Sequence, residues 1–205
     1  GYASASATSP QSTVVARGEL APLTRPKVSG TARLGKTLKA TVTAPAGASL
    51  DYQWLRGGKP VKGATSRTYR LTKKDRGKKL SVRVTATRAG YLPRSATSQK
   101  TSKIAKAVPK VKVKTTKKIS RTTRPKVTVR VTTPLTTKPT GKVRITYGKR
   151  TRTVQLKARH KGKVTVRLPR LAKGKHKIRA KYTPATKHKR YLKPTKSKKL
   201  TVRVR

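Results

Sequence analysis

The sequence predicts an all-β protein built as two antiparallel β-sandwiches in tandem, and three observations lead there. The chain is 205 residues long, which accommodates two units of about 100 residues each, the size of a small sandwich. Short runs of β-type residues, separated by Gly and Pro, recur about every ten residues with no helical period between them. In the second half, apolar residues fall at every second position, with Lys, Arg or Thr between them.

Residues 1–24 are rich in Ala, Ser and Thr and end in a Pro-containing stretch at Pro22 and Pro26, which reads as a flexible lead-in. The opening Gly1-Tyr2-Ala3-Ser4-Ala5-Ser6-Ala7 suits a signal-peptidase junction. Residues 25–105 form the first unit, with strands expected at 37–43, 49–56, 67–71, 80–87 and 96–104. Turns fall at Gly47, Gly57-Gly58, Gly63, Arg76-Gly77 and Gly90. Residues 106–205 form the second unit, after a Lys- and Pro-containing join near Lys106 to Lys110.

The alternation in the second unit is the cleaner of the two. Val111 and Val113 alternate with Lys112 and Lys114, and Val127, Val129 and Val131 with Thr128 and Arg130. Val143 and Ile145 alternate with Lys142 and Arg144, and Val164, Val166 and Leu168 with Lys163, Thr165 and Arg167. Ile178, Ala180 and Tyr182 alternate with Lys177, Arg179 and Lys181, and the chain closes on Leu200, Val202 and Val204. Each strand therefore carries one apolar and one cationic face, an arrangement that a disordered basic tail has no reason to adopt. The cores must be small and aliphatic, since Trp54 is the one Trp.

Charge is the second dominant feature. Against 57 Lys and Arg stand Glu19, Asp51 and Asp75, for a net charge of +54. All three acids precede residue 76, so few intramolecular ion pairs can form. Like charges at this density oppose compaction, and a folded form calls for counterions or a polyanionic partner. With no Cys there is no disulfide and no thiolate metal site. No apolar run approaches the roughly 20 residues of a membrane-spanning helix.

These residues argue against catalysis and against a bound metal or cofactor. Paired-carboxylate chemistry needs two acids together, whereas Asp51 and Asp75 read as a strand start and a turn. His160, His176 and His188 are each flanked by cations, a field that repels a divalent ion. Ser and Thr lack a base with an orienting acid, and Gly57-Gly58 is a hairpin signal rather than a phosphate cradle.

The cationic ladders carry the functional expectation. Alternate residues on a strand recur every ~6.6 Å, close to two phosphate steps of ~3.4 Å, so a ladder can follow a phosphodiester chain. The expected contributors are Lys142, Arg144, Lys163, Arg167, Lys177, Arg179 and Lys181, placed opposite the core by alternation. Tyr147 and Tyr182 fall on the apolar face, and no base-reading signature is present, so contact with a polyanion would be electrostatic and non-specific.

Three segments of the first unit carry a resemblance: PKVSGTARLGKTL from Pro26, YQWLRGGKPVKGAT from Tyr52, and YRLTKKDRGKKLSVRVTATRAGY from Tyr69. Over about 80 residues the unit resembles an immunoglobulin-like repeat of actinobacterial secreted and cell-surface proteins. The resemblance implies that Trp54 is the core Trp of a central strand, that Tyr52 flanks it, and that Asp75 and Gly77 form the turn before the next core strand. The second half, from GKVRITYG at Gly141 through LPRLAKGKHKIRAKY to KKLTVRVR, is similar to another bacterial immunoglobulin-like repeat. Such repeats often follow the Tyr with Gly-Asp; here Thr183-Pro184-Ala185 follows Tyr182, which removes the case for calcium on that loop.

The expectation is thus two tandem immunoglobulin-like β-sandwiches in a non-catalytic, secreted or cell-surface module. Its partner is an anionic polymer or anionic cell surface: teichoic acid, acidic polysaccharide or extracellular nucleic acid. The alternative is a structural stalk or filament subunit, self-assembling or part of a larger parent protein. A nucleic-acid-condensing role inside the cell fits the charge and runs against the resemblance.

Overall fold

A computed structural model describes residues 16–205. The signal-peptidase reading of residues 1–7, and most of the 1–24 lead-in, lie outside the described residues.

The first group of strands comprises β1 (Gly18–Glu19), β2 (Lys27–Ser29), β3 (Thr37–Thr41), β4 (Ser49–Arg56), β5 (Lys59–Pro60), β6 (Thr68–Arg70), β7 (Leu80–Thr87), β8 (Tyr91–Leu92) and β9 (Arg94–Thr97). The second comprises β10 (Lys110–Lys114), β11 (Lys118–Ile119), β12 (Lys126–Thr132), β13 (Gly141–Tyr147), β14 (Arg150–Leu156), β15 (Lys163–Arg167) and β16 (Gly174–Pro184). A single helical turn, α1 (Thr186–Lys189), precedes β17 (Thr195–Lys196) and β18 (Leu200–Val204).

Both groups have the same connectivity. In the first, a sheet β2-β3-β6 faces a sheet β5-β4-β7-β9; in the second, β10-β12-β15 faces β11-β18-β16-β13-β14, with β17 also on β16. Taking the main strands of each group in order, the first, second and fifth form one sheet, and the fourth, third, sixth and seventh form the other. The principal pairings are antiparallel. This is the two-sheet division of an immunoglobulin-like sandwich, and the chain is an all-β pair of them.

Alternation builds the cores. On β7, Leu80, Val82, Val84 and Ala86 are fully buried, while Arg83 points outward. Trp54 on β4 lies across from Val82, donates its indole N–H to the Ser66 carbonyl at 2.9 Å, and stacks on Tyr69 with ring centres 5.6 Å apart. The β4–β5 hairpin turns through Gly57 (φ 59°) and Gly58 (φ 90°), the doubly left-handed pair a tight hairpin requires. In the second sandwich, Val127, Val129, Val131, Val164 and Val166 meet Val143, Ile145, Ile178, Ala180, Tyr182 and Val202 in a single core.

Strands expected at 49–56 and 80–87 form over those residues, and those at 37–43 and 67–71 are shorter by their ends. The strand expected at 96–104 requires correction, because β9 ends at Thr97. Beyond it the Ser98 and Thr101 hydroxyls, each at 3.0 Å, accept the N–H groups of Val82 and Leu80 that a regular strand would bond through its carbonyls. β14 was not expected: its sequence, RTRTVQL, shows little apolar alternation and is mostly exposed at the sheet edge.

Part of the segment read as lead-in is attached to the first sandwich. β1 pairs in parallel with β8, Leu20 is buried, and Glu19 accepts from Arg94 at 2.6 Å. Between the sandwiches, Ala105 pairs with the first, bonding Leu34 and Ala32, while Ala107 exchanges two bonds with Tyr191 and Lys193 of the second. Gly35 (φ 78°) lies so close to the second sandwich that a Cβ there would come within 2.4 Å of Pro134.

Candidate polyanion-binding surface

The seven cations singled out from the sequence divide between two faces. Lys142 and Arg144 on β13 share the outer face of the larger sheet with Lys177, Arg179 and Lys181 on β16. Lys163 and Arg167 on β15 lie on the outer face of the smaller sheet, on the other side of the core. Alternation assigns a residue to the outside of its strand; it does not say which sheet the strand joins, and the seven therefore fall into two groups on opposite faces.

Cross-strand register brings cations into direct opposition. On the larger sheet Arg144 faces Lys181, which faces Lys196. Further along, Lys118 faces Arg203, which faces Lys175. On the smaller sheet Lys112 faces Arg130, which faces Lys163, and Lys126 faces Arg167. Strands lie ~4.8 Å apart and alternate residues ~6.6 Å apart, so each face presents a grid of positive charge at roughly that spacing. Like charges directly opposite destabilise a sheet, and the sequence places no carboxylate beyond Asp75 to relieve them.

Each face has a shallow groove. That on the larger sheet, about 480 Å³, is lined by Arg144, Thr146, Lys177, Arg179, Lys181 and Lys196. That on the smaller sheet, about 390 Å³, is lined by Lys112, Lys114, Thr128, Arg130 and Lys163. Not all of these cations are free: the half-buried Arg179 donates from Nε to the Ser197 carbonyl at 3.1 Å. Sequence reasoning passed over Lys112 and Arg130, although alternation marks them as outward. It had no signal for Lys118 and Lys196, which sit on two-residue strands.

The first sandwich offers no comparable grid on its four-stranded sheet. There Asp51 faces Thr85, which faces Ser95, and the latter two hydroxyls bond at 2.8 Å. A concavity of about 750 Å³ lies apart from both grids, where Arg56, Lys62, Arg70 and Lys73 approach Pro134 and Leu135.

The residues assigned to the first core sit as follows. Trp54 is fully buried, Tyr52 is half-buried beside it, and Gly77 (φ 73°) turns the chain before β7 and bonds the Ile104 carbonyl. Asp75, fully buried, accepts from the Thr72 N–H at 2.6 Å and the Thr72 hydroxyl at 2.9 Å. It also pairs with Arg56 Nε at 2.6 Å and accepts from the Tyr69 hydroxyl at 3.2 Å, so it ties three elements together as well as making its turn. Burial and the Asp75 charge raise the Tyr69 pKa above its usual value.

The three histidines lie apart in different settings. Nδ1 of His160 accepts the Lys157 N–H at 3.1 Å, and Nε2 of His176 lies 2.7 Å from the Ala172 carbonyl. His188 is buried beside Thr140 and 5.5 Å from Tyr191, over which Lys73 of the first sandwich places its ammonium. Among the described residues no cluster of three His, Asp or Glu side chains could hold a metal, and no helix is long and apolar enough to cross a membrane.

No family model matches the chain, and neither does any curated protein. Among solved structures it is similar to a two-domain fibronectin type III segment of chicken tenascin. Identity is 14% and the TM-score 0.35, over 87% of this chain and 96% of that one. It is also similar to the FN1-FN3 domains of chicken CNTN1, at 14% identity and a TM-score of 0.31, over 92% of this chain and 69% of that one. Likeness at this level carries no argument, and the fold class rests on the strand pairing described above.

Proposed function

We propose that this chain is a non-catalytic, secreted or cell-surface module of the bacterial, actinobacterial immunoglobulin-like type that binds anionic polymers by non-specific electrostatics. Teichoic acid, acidic glycan and extracellular nucleic acid are the polymers that fit. The observation carrying this reading is the set of cross-strand rows, Arg144–Lys181–Lys196, Lys118–Arg203–Lys175 and Lys112–Arg130–Lys163. Solubility is served by a net charge of magnitude about 2–8 on a small domain; opposed cations on adjacent strands cost stability and gain a purpose when an anionic chain neutralises them. Binding of labelled duplex DNA, teichoic acid and a neutral glycan at ~50 mM salt tests the reading. The anionic polymers should bind and the neutral glycan should not; equal binding of all three would overturn it.

A structural stalk is the second reading, favoured by the junction. Ala105 is bonded into one sandwich and Ala107 into the other, which leaves Lys106 as the sole residue between the two attachments. A stalk would keep its end-to-end length and any self-association as salt rises, whereas polyanion binding would weaken.

A further inference from the structure

We infer that the second sandwich binds two phosphodiester chains at once, one on each outer face, and so bridges them; this rests on the electrostatic reading proposed above. The two grids lie back to back. Lys112, Arg130 and Lys163 project from one sheet and Arg144, Lys177 and Lys196 from the other, with one valine-rich core between the sheets. Packed sheets are about 10 Å apart, so the faces are close enough to be loaded together yet separated by apolar side chains.

The chemistry of both faces favours phosphate. Threonine hydroxyls stand among the cations on each: Thr146 in the larger-sheet groove, and Thr128 with Thr165, whose oxygens are 3.0 Å apart, on the smaller. Lys, Arg and Thr together are the donor set that contacts phosphate oxygens without reading bases. A duplex is stiff over a persistence length of about 50 nm, so a short one can lie along one face and cannot fold around the sandwich to reach the other. A single duplex thus leaves the second grid uncompensated and available to another.

The test uses the full chain with two populations of ~15-base-pair duplex, one labelled with a donor fluorophore and one with an acceptor. Two triple variants each strip the groove of one face of three cations: Arg144→Gln, Lys177→Gln and Lys196→Gln, or Lys112→Gln, Arg130→Gln and Lys163→Gln. The wild-type chain should bring donor and acceptor together. Each triple variant should still bind duplex through its intact face, with the salt dependence of that face unchanged and fewer duplexes bound per chain, and its transfer signal should fall to background. Charge-conserving swaps, Lys112→Arg, Arg130→Lys and Lys163→Arg, should restore the signal and guard against a folding defect. Duplex binding without transfer in the wild-type chain overturns the bridging inference and leaves the binding reading standing. Wild-type transfer in either triple variant also overturns it, pointing to self-association instead. No duplex binding at all overturns both.

Discussion

Ser98 and Ser197 occupy equivalent places in the two sandwiches and make the same three hydrogen bonds. Ser98 Oγ accepts the Val82 N–H at 3.0 Å and donates to the Gln99 carbonyl at 3.0 Å, while its own N–H bonds the Val82 carbonyl at 2.9 Å. Ser197 Oγ accepts the Ala180 N–H at 3.0 Å and donates to the Lys198 carbonyl at 2.7 Å, while its own N–H bonds the Ala180 carbonyl at 2.7 Å. Both serines are buried. Each replaces a main-chain acceptor where regular pairing to the neighbouring strand is interrupted, so that a buried N–H is not left without a partner.

Removing that oxygen should therefore cost stability in either sandwich. Ser98→Ala and Ser197→Ala should each destabilise by about 1–3 kcal/mol, the penalty of an unpaired buried donor. Denaturant titration would reveal this as a lower midpoint, and an unchanged midpoint in both variants would contradict the assigned role.

Asp75 holds the first sandwich together through charge as well as hydrogen bonds. Asp75→Asn leaves Arg56 without its carboxylate and should cost about 3 kcal/mol, the low end for breaking a buried pair, because the Arg56 side chain retains 24% exposure. The Tyr69 hydroxyl, whose pKa is raised by burial first and the Asp75 charge second, should titrate at lower pH in the variant. Ultraviolet titration of the phenol checks this, and a Tyr69 pKa that stays or rises would count against it.

His188 predicts a pH effect. Burial first, then the charges of Lys187 and Lys73, lower its pKa; Tyr191 also packs on the ring. The folded state then holds fewer protons than the unfolded state, so stability rises with pH through this window. It should be fully present above the unfolded value of about 6.5 and decline as pH falls below it toward the folded pKa. Thermal melts from pH 7.5 to 5 should show this loss in the wild-type chain and a smaller one in His188→Gln; identical profiles would remove His188 as the cause.

Alternation makes the second sandwich legible in the sequence, because Val127, Val129 and Val131 or Ile178, Ala180 and Tyr182 can form a core on only one side of a strand. The limits of that signal are equally specific. Arg150–Leu156 is an edge strand with little apolar face, so its sequence resembles a loop. Ser98 and Thr101 support their neighbour through side chains, which has no counterpart in a hydrophobic pattern. The division of the cations between two faces depends on which sheet β13, β15 and β16 join, a property of long-range pairing. Asp75 was legible as a turn residue, but its contacts with Arg56 and Tyr69 arise from elements 19 and 6 residues away.

The salt dependence of duplex DNA binding tests the central claim most directly. If 6–10 phosphates are neutralised by the cationic grids, affinity should fall by about 10³–10⁵ between 50 and 200 mM salt. Absence of binding at the lowest salt, or an affinity that stays flat across the series, would contradict an electrostatic polyanion-binding role and leave the stalk as the better account.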